Sequence, residues 1–131
     1  SKSFGLEMTL ACAEISLRAL IDRYPAKAVL RALPGFPSIE RDLSPLVPDA
    51  VTWEKVALLI DGLKSKMPRL ESTAFVGTYR GKQTGEGRKS LTLRMTFRDA
   101  ARTLRHEEVD PEVALVSAAL TSELGAEFRT A

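Results

Sequence analysis

One cysteine, Cys12, and one histidine, His106, in 131 residues leave no intramolecular disulfide and no Cys/His cluster at metal-ligand spacing. No apolar run approaches the roughly 20 residues that a membrane-crossing helix needs, and the brief apolar and polar alternation at the N-terminus is unlike a secretory leader. There is no internal repeat and no low-complexity tract. Gly81, Gly85 and Gly87 do not form GxGxxG and precede a strand pattern rather than a helix, so they read as turn residues, not as a phosphate cradle. No convergent nucleophile, base and orienting group stands out. These absences exclude a disulfide scaffold, a metal centre and an evident catalytic triad, and they fit a cytoplasmic protein. Cys12 reads as a small buried hydrophobe without a basic neighbour.

What is present is an ordinary globular composition, 44% hydrophobic and 27% charged, long enough for one domain with its own core. The charge is unevenly written. TYRGKQTGEGRKSLTLRMTFRDAARTLR, from Thr78 to Arg105, holds Arg80, Lys82, Arg88, Lys89, Arg94, Arg98, Arg102 and Arg105 against Glu86 and Asp99. That is a net +6 inside a chain of net +2. The asymmetry predicts one positive face, for which phosphates are the natural partner.

Periodicity and punctuation supply the elements. Phe4, Leu6, Met8 and Leu10 alternate as in a strand over residues 4 to 12, and Ile15 to Ile21 suits a short helix. Pro25, Pro34, Gly35 and Pro37 mark a connector, dividing an extension, 1–33, from a module, 34–131. SIERDLSPLV reads as a strand that bulges or ends early at Pro45. Thr52 caps a helix carrying Trp53, Val56, Ala57, Ile60, Leu63 and Met67, stopped by Pro68. Residues 70–80 and 89–97 form a hairpin, in which Leu91, Leu93, Met95 and Phe97 face the core while Thr92, Arg94 and Thr96 face out. Asp110 and Pro111 read as the N-cap and first position of a second helix that ends at Gly125, and AEFR as a last strand.

The order β-α-β-β-α-β predicts an α+β, ferredoxin-like split βαβ sandwich: an antiparallel sheet with both helices on one face and the other face open as a binding platform. Trp53 sits at a core position. His106 reads as a solvated surface residue, and Glu107 and Glu108 as complements to a helix dipole.

The run YRGKQTGEGRKSLTLRMTFRDAARTLRHEEVDPEV resembles the ferredoxin-fold anticodon-binding domain found at the C-terminus of bacterial phenylalanyl-tRNA synthetase β subunits. Tyr79-Arg80-Gly81, Glu86-Gly87, Lys89-Ser90-Leu91, Arg102-Thr103-Leu104 and Glu107-Glu108-Val109 carry the likeness, with Phe36-Pro37 and Arg41-Asp42-Leu43 upstream. It spans about residues 36 to 129. The resemblance implies recognition of the tRNA-Phe anticodon, and an α subunit as partner in an (αβ)2 assembly. It implies ATP and Mg2+ for the full synthetase, with no cofactor and no catalysis in this piece. Residues 1 to about 33 look similar to the segment joining the module to the preceding part of such a subunit.

The resemblance also assigns site residues. Ser90 matches a serine expected to line the pocket for the first anticodon base. Two residues before Tyr79, relatives commonly carry an aspartate that can accept from a guanine edge; here it is Gly77. Backbone, water or another acidic side chain then replaces that contact, or selection rests on stacking and shape. Arg80, Arg88, Lys89, Arg94 and Arg98 are expected to position the RNA backbone, and Tyr79 to stack on a base. The alternative is a regulatory or assembly module acting through protein contacts.

Overall fold

A computed structural model describes Gly5, residues 11–24 and residues 33–128. The chain divides into two compact units, Ser1–Leu33 and Pro34–Ala131. In the first, the described residues hold one short helix, α1 (Leu17–Ile21), all of it exposed. Most of the strand expected over residues 4 to 12 lies outside the described residues. Cys12 is described and is exposed rather than buried.

The second unit contains β1 (Ile39–Leu43), β2 (Leu46–Pro48), α2 (Trp53–Leu63), β3 (Leu70–Tyr79), β4 (Arg88–Phe97) and α3 (His106–Leu124). β4 is the axis of the antiparallel sheet. β3 lies along one of its edges, and β1 and β2 lie one after the other along the opposite edge. β1 and β2 are the single expected strand, interrupted at Ser44 and Pro45. The proline has no N–H to give to the ladder, but its carbonyl still accepts the Leu91 N–H at 3.0 Å, so register survives the break.

Among the described residues, the expected final strand is represented by one bridge. Glu127 pairs with Leu46 through two backbone hydrogen bonds of 2.8 and 2.9 Å. Across the sheet the order is therefore Glu127, β1/β2, β4, β3, the arrangement expected of a split βαβ unit.

Leu91, Leu93, Met95 and Phe97 are fully buried with Val56 and Ile60 of α2 and Val109, Val116 and Leu120 of α3. The alternate β4 side chains, Ser90, Thr92, Arg94 and Thr96, are only half-buried. Both helices thus pack on one side of β4. Trp53 packs against this core, its ring 5.8 Å from that of Phe75.

Two expected boundaries move. α2 is capped by Thr52, whose hydroxyl accepts the Lys55 N–H at 3.4 Å, but it gives way at Lys64–Lys66 to a 3-10 turn before Pro68. α3 begins at His106 instead of after Asp110, and Pro111 falls inside it. The carboxylate of Glu108 accepts the Arg105 N–H at 2.8 Å, which caps the helix more than a turn earlier than the Asp-Pro pair suggests. Asp110 instead pairs with Arg41 at 3.3 Å. Gly125, at φ +62°, ends α3 in the left-handed conformation.

Candidate nucleic-acid interface

Directly paired residues in an antiparallel ladder share a face, so the register defines what the open side carries. Asp42, Arg94 and Ala74 form one row, and Glu40, Thr96 and Ser72 the row beside it. Toward the other end, Thr92 faces Gly77, and Ser90 faces Tyr79.

Tyr79 reaches this side because of a bulge. Thr73 and Phe75 pair with Met95 and Leu93, which point at the helices, yet Gly77 and Tyr79 pair with Thr92 and Ser90, which do not. The register shift between Phe75 and Gly77 inserts Val76 and reverses the alternation. Tyr79 is 58% exposed. Its ring lies over Gly81, where a Cβ would come within 2.7 Å of the Tyr79 Cζ, so the Tyr-Arg-Gly motif is a seat for the phenol.

The charge is distributed differently from the expectation. Arg94 holds Asp42 in a two-pronged contact, Nε to Oδ1 at 2.7 Å and Nη2 to Oδ2 at 2.8 Å, and reaches Glu40 at 3.0 Å through Nη1. The hydrogen bonds from Arg94 hold the Asp42 carboxyl below its ordinary range, and Asp42 raises Arg94 in return. Arg80 pairs with Asp49 at 3.0 Å, Arg98 with Glu71 at 3.0 Å, and Arg102 with Glu108. Arg98 also donates to the Phe36 carbonyl. Every one of these carboxylates lies outside the basic segment. Among the described residues, carboxylates from outside the segment close onto it, and no single unpaired cationic face forms from it.

Arg88 and Lys89 are engaged within the fold. Arg88 donates to Glu127 at 2.6 Å and to the carbonyls of Leu46 and Gly125 at 3.2 and 3.4 Å, so it staples the chain end to β2. Lys89 is 8% exposed and donates to the Asp49 carbonyl at 2.8 Å. It belongs to the inward-facing set of β4, not to the open side. Arg88 and Arg98, ten residues apart, are separated by roughly 33 Å along the strand and cannot serve one nucleotide. Among the described residues, Lys82 and Arg105 are the two cations of this segment whose side chains make neither an ion pair nor a hydrogen bond.

Ser90 lines a concavity of about 380 Å3 with Asp42, Leu43, Ser44, Leu46 and Phe128. It opens where β1 breaks into β2, on the side of Ser90 away from β3. Gly77 does not line this concavity; it lies on the same open side as Ser90, paired with Thr92 while Ser90 is paired with Tyr79. The Ser44 and Thr92 hydroxyls hydrogen-bond across the break at 2.9 Å. Asp42, Ser44 and Phe128 were not expected as site residues from sequence; the proline break at 45 was the one visible signal. A larger concavity, about 480 Å3, lies away from Ser90 and is lined by α2 and β3, including Trp53, Leu58 and Thr73.

His106 is exposed and its Nδ1 accepts from Arg41 Nη1 at 2.9 Å. Glu107 and Glu108 lie in the first turn of α3. Arg102, and then the Arg105 N–H, lower the Glu108 carboxyl to about 2. Among the described residues no three His, Cys, Asp or Glu side chains gather as a metal site, and no helix is long and apolar enough to cross a membrane.

A ferredoxin-like α+β sandwich, with two helices on one side of its sheet and a polar, indented opposite side, is thus defined. Residues 34–129 match the family model of the ferredoxin-fold anticodon binding domain, and the chain belongs to that family. This agrees with the resemblance read from residues 36 to 129. The chain is 38% identical over 130 residues to the phenylalanine–tRNA ligase β subunit of Chromobacterium violaceum. It is 31% identical over 128 residues to that of Clostridium acetobutylicum and 36% identical over 116 residues to that of Lactiplantibacillus plantarum. The alignments cover 98%, 98% and 88% of this chain but 16%, 16% and 14% of those proteins.

Proposed function

We propose that this domain recognises the anticodon stem-loop of tRNA-Phe as a non-catalytic module of a phenylalanine–tRNA ligase β subunit. In this reading it supports ATP-dependent attachment of phenylalanine to tRNA within an (αβ)2 assembly in the cytoplasm. ATP and Mg2+ are assigned to the rest of the longer protein, as the likeness to phenylalanine–tRNA ligase β subunits implies. Residues 1–33 serve as the connector from the preceding part of the subunit.

The observation that carries the proposal is the placement of Ser90 and Tyr79 side by side on the open side of the sheet, with a base-sized concavity next to Ser90. An exposed aromatic can stack on any unpaired base, while the concavity supplies hydrogen-bonding groups that discriminate among bases. Arg80 is the arginine best placed to hold phosphate. Its pair with Asp49 is exposed on both sides, and exposed pairs contribute little stability, so exchanging Asp49 for phosphate costs little. Arg94 and Arg98 position the face through their carboxylates, and Arg88 and Lys89 act from behind it by fixing β4 to its neighbours.

Competition binding tests the reading. The 131-residue chain should prefer the tRNA-Phe anticodon hairpin over a hairpin of equal length with an unrelated loop, and it should not aminoacylate alone. Equal affinity for both hairpins would remove the proposal's support.

A further inference from the structure

We infer that the outer edge of β3, with the groove α2 forms beside it, is a docking surface for a partner protein, which enters as an extended segment bearing a cation on either side of an apolar residue. The inference goes beyond the RNA-binding reading and uses a different part of the domain. Among the described residues no strand pairs with the far edge of β3. On the opposite margin, β1 carries Glu40, Arg41 and Asp42 within five residues, and β2 bonds to Glu127. The ten residues of β3 include neither proline nor lysine, the usual blunting of an exposed edge. Register shifts between Leu70 and Ser72 and between Phe75 and Gly77 leave residues 72–75 as a straight run, so the surface suits a short segment.

The groove, about 480 Å3, is lined among others by Trp53, Glu54, Leu58 and Asp61 of α2 and by Ser72 and Thr73 of β3. Thr73 pairs with Met95 and so faces the helices, while Ser72 pairs with Thr96 and faces the other way. A space that touches both, with β4 along the inner margin, runs over the outer backbone of β3. An extended chain satisfies such a backbone, the mode by which peptides add to a sheet; a helix, whose own groups are already bonded, does not. Leu58 is 67% exposed and Phe75 47%, and the Phe75 ring lies 5.8 Å from that of Trp53, so an apolar side chain of the segment meets an apolar wall. Glu54 and Asp61 are exposed, and among the described residues neither makes an ion pair. Lys64 is the one cation of the lining, which stays net negative. The two carboxylates stand about 10.5 Å apart along α2, a distance that an extended chain covers in about three residues. Lysines or arginines flanking one apolar position on the same side of the segment match them, and an acidic segment is repelled.

Amide NMR of the 131-residue chain tests this with a capped peptide in which threonines alternate with lysine, valine and lysine, and with a counterpart in which glutamates replace both lysines. Saturable shifts are expected at Trp53, Leu58, Ser72, Thr73 and Phe75, half-complete near about 1 mM, with the glutamate peptide roughly tenfold weaker. Replacing the valine by proline, which cannot donate into a ladder, should weaken binding about fivefold. Glu54→Gln combined with Asp61→Asn changes only exposed side chains and should abolish the preference for lysine. No saturable shift up to about 5 mM, equal binding of the two charged peptides, a preference that survives the double variant, indifference to proline, or shifts confined to α2 would each overturn the assignment. So would two other occupants. Shifts at β3 that grow with protein concentration alone would give the edge to a second copy of the chain, and displacement of the peptide by the tRNA-Phe hairpin would give it to RNA. The comparison of the two charged peptides needs no variant, and hairpin specificity, measured in the same sample, stands or falls separately.

Discussion

The phenol of Tyr79 rests on Gly81, two residues further along the chain, so closely that a Cβ at position 81 would collide with the ring. Because the obstructing atoms are the far end of a side chain, Gly81→Ala should displace the ring at small cost, under about 1 kcal/mol of stability. It should nevertheless weaken hairpin binding as much as Tyr79→Ala does, by about 1 to 3 kcal/mol if the ring stacks on a base. Thermal melts and binding isotherms of the two variants check this together.

Ser90 faces Tyr79 across the ladder and lines the concavity. Ser90→Ala should reduce discrimination between anticodon loops by about 0.5 to 1.5 kcal/mol, the net worth of one hydrogen bond. Affinity for unrelated RNA should change little. The comparison requires both RNAs at one salt concentration.

Two arginines of the same basic segment should behave oppositely. Arg88→Ala removes a partly buried group that holds Leu46, Gly125 and Glu127 together. It should cost about 1 to 3 kcal/mol of stability, a fall of at least about 4 °C in melting temperature. Arg80→Ala breaks an exposed pair and should leave stability within about 0.5 kcal/mol while lowering affinity for every RNA tested.

Salt dependence should be shallow for so basic a segment. If all eight cations met phosphate, the slope of log K against log salt would approach about −5.6 for single-stranded RNA. With most guanidiniums already neutralised, contacts through Arg80, Lys82 and Arg105 predict a slope nearer about −2. Filter binding across salt concentrations distinguishes the two.

Acid should loosen the start of α3. The Glu108 carboxyl is held down to about 2 from an ordinary 4.5, by Arg102 first and the Arg105 N–H second. Its folded pKa is depressed, so its stabilisation is complete above about 4.5 and is lost as pH falls toward 2. Glu108→Gln should flatten the stability profile in that window, as measured by denaturant midpoints at stepped pH.

The fold was legible because its signals are local. Strict alternation along β4, the Thr52 cap and Gly125 each state their conformation within a few residues. The beginning of α3 was misjudged because Asp110-Pro111 mimics a helix start, whereas the actual cap is a carboxylate three residues beyond Arg105. The site was legible only in part. Tyr79 and Ser90 stood out, but the bulge at Val76 that turns Tyr79 outward leaves no mark in the alternation of Ala, Phe, Val and Gly. The partners that neutralise the basic run come from Glu40, Asp42, Asp49, Glu71, Glu108 and Glu127. Charge counted along a sequence does not see such cross-strand closure, and Asp42 therefore passed unnoticed as a pocket residue.

The central claim is that RNA binds the side of the sheet opposite the helices. An amide shift map of the chain saturated with the tRNA-Phe anticodon hairpin tests it most directly. The account predicts shifts concentrated at Asp42, Tyr79, Ser90, Thr92 and Arg94. Shifts confined to α2 and α3, with those five residues unmoved, would contradict it.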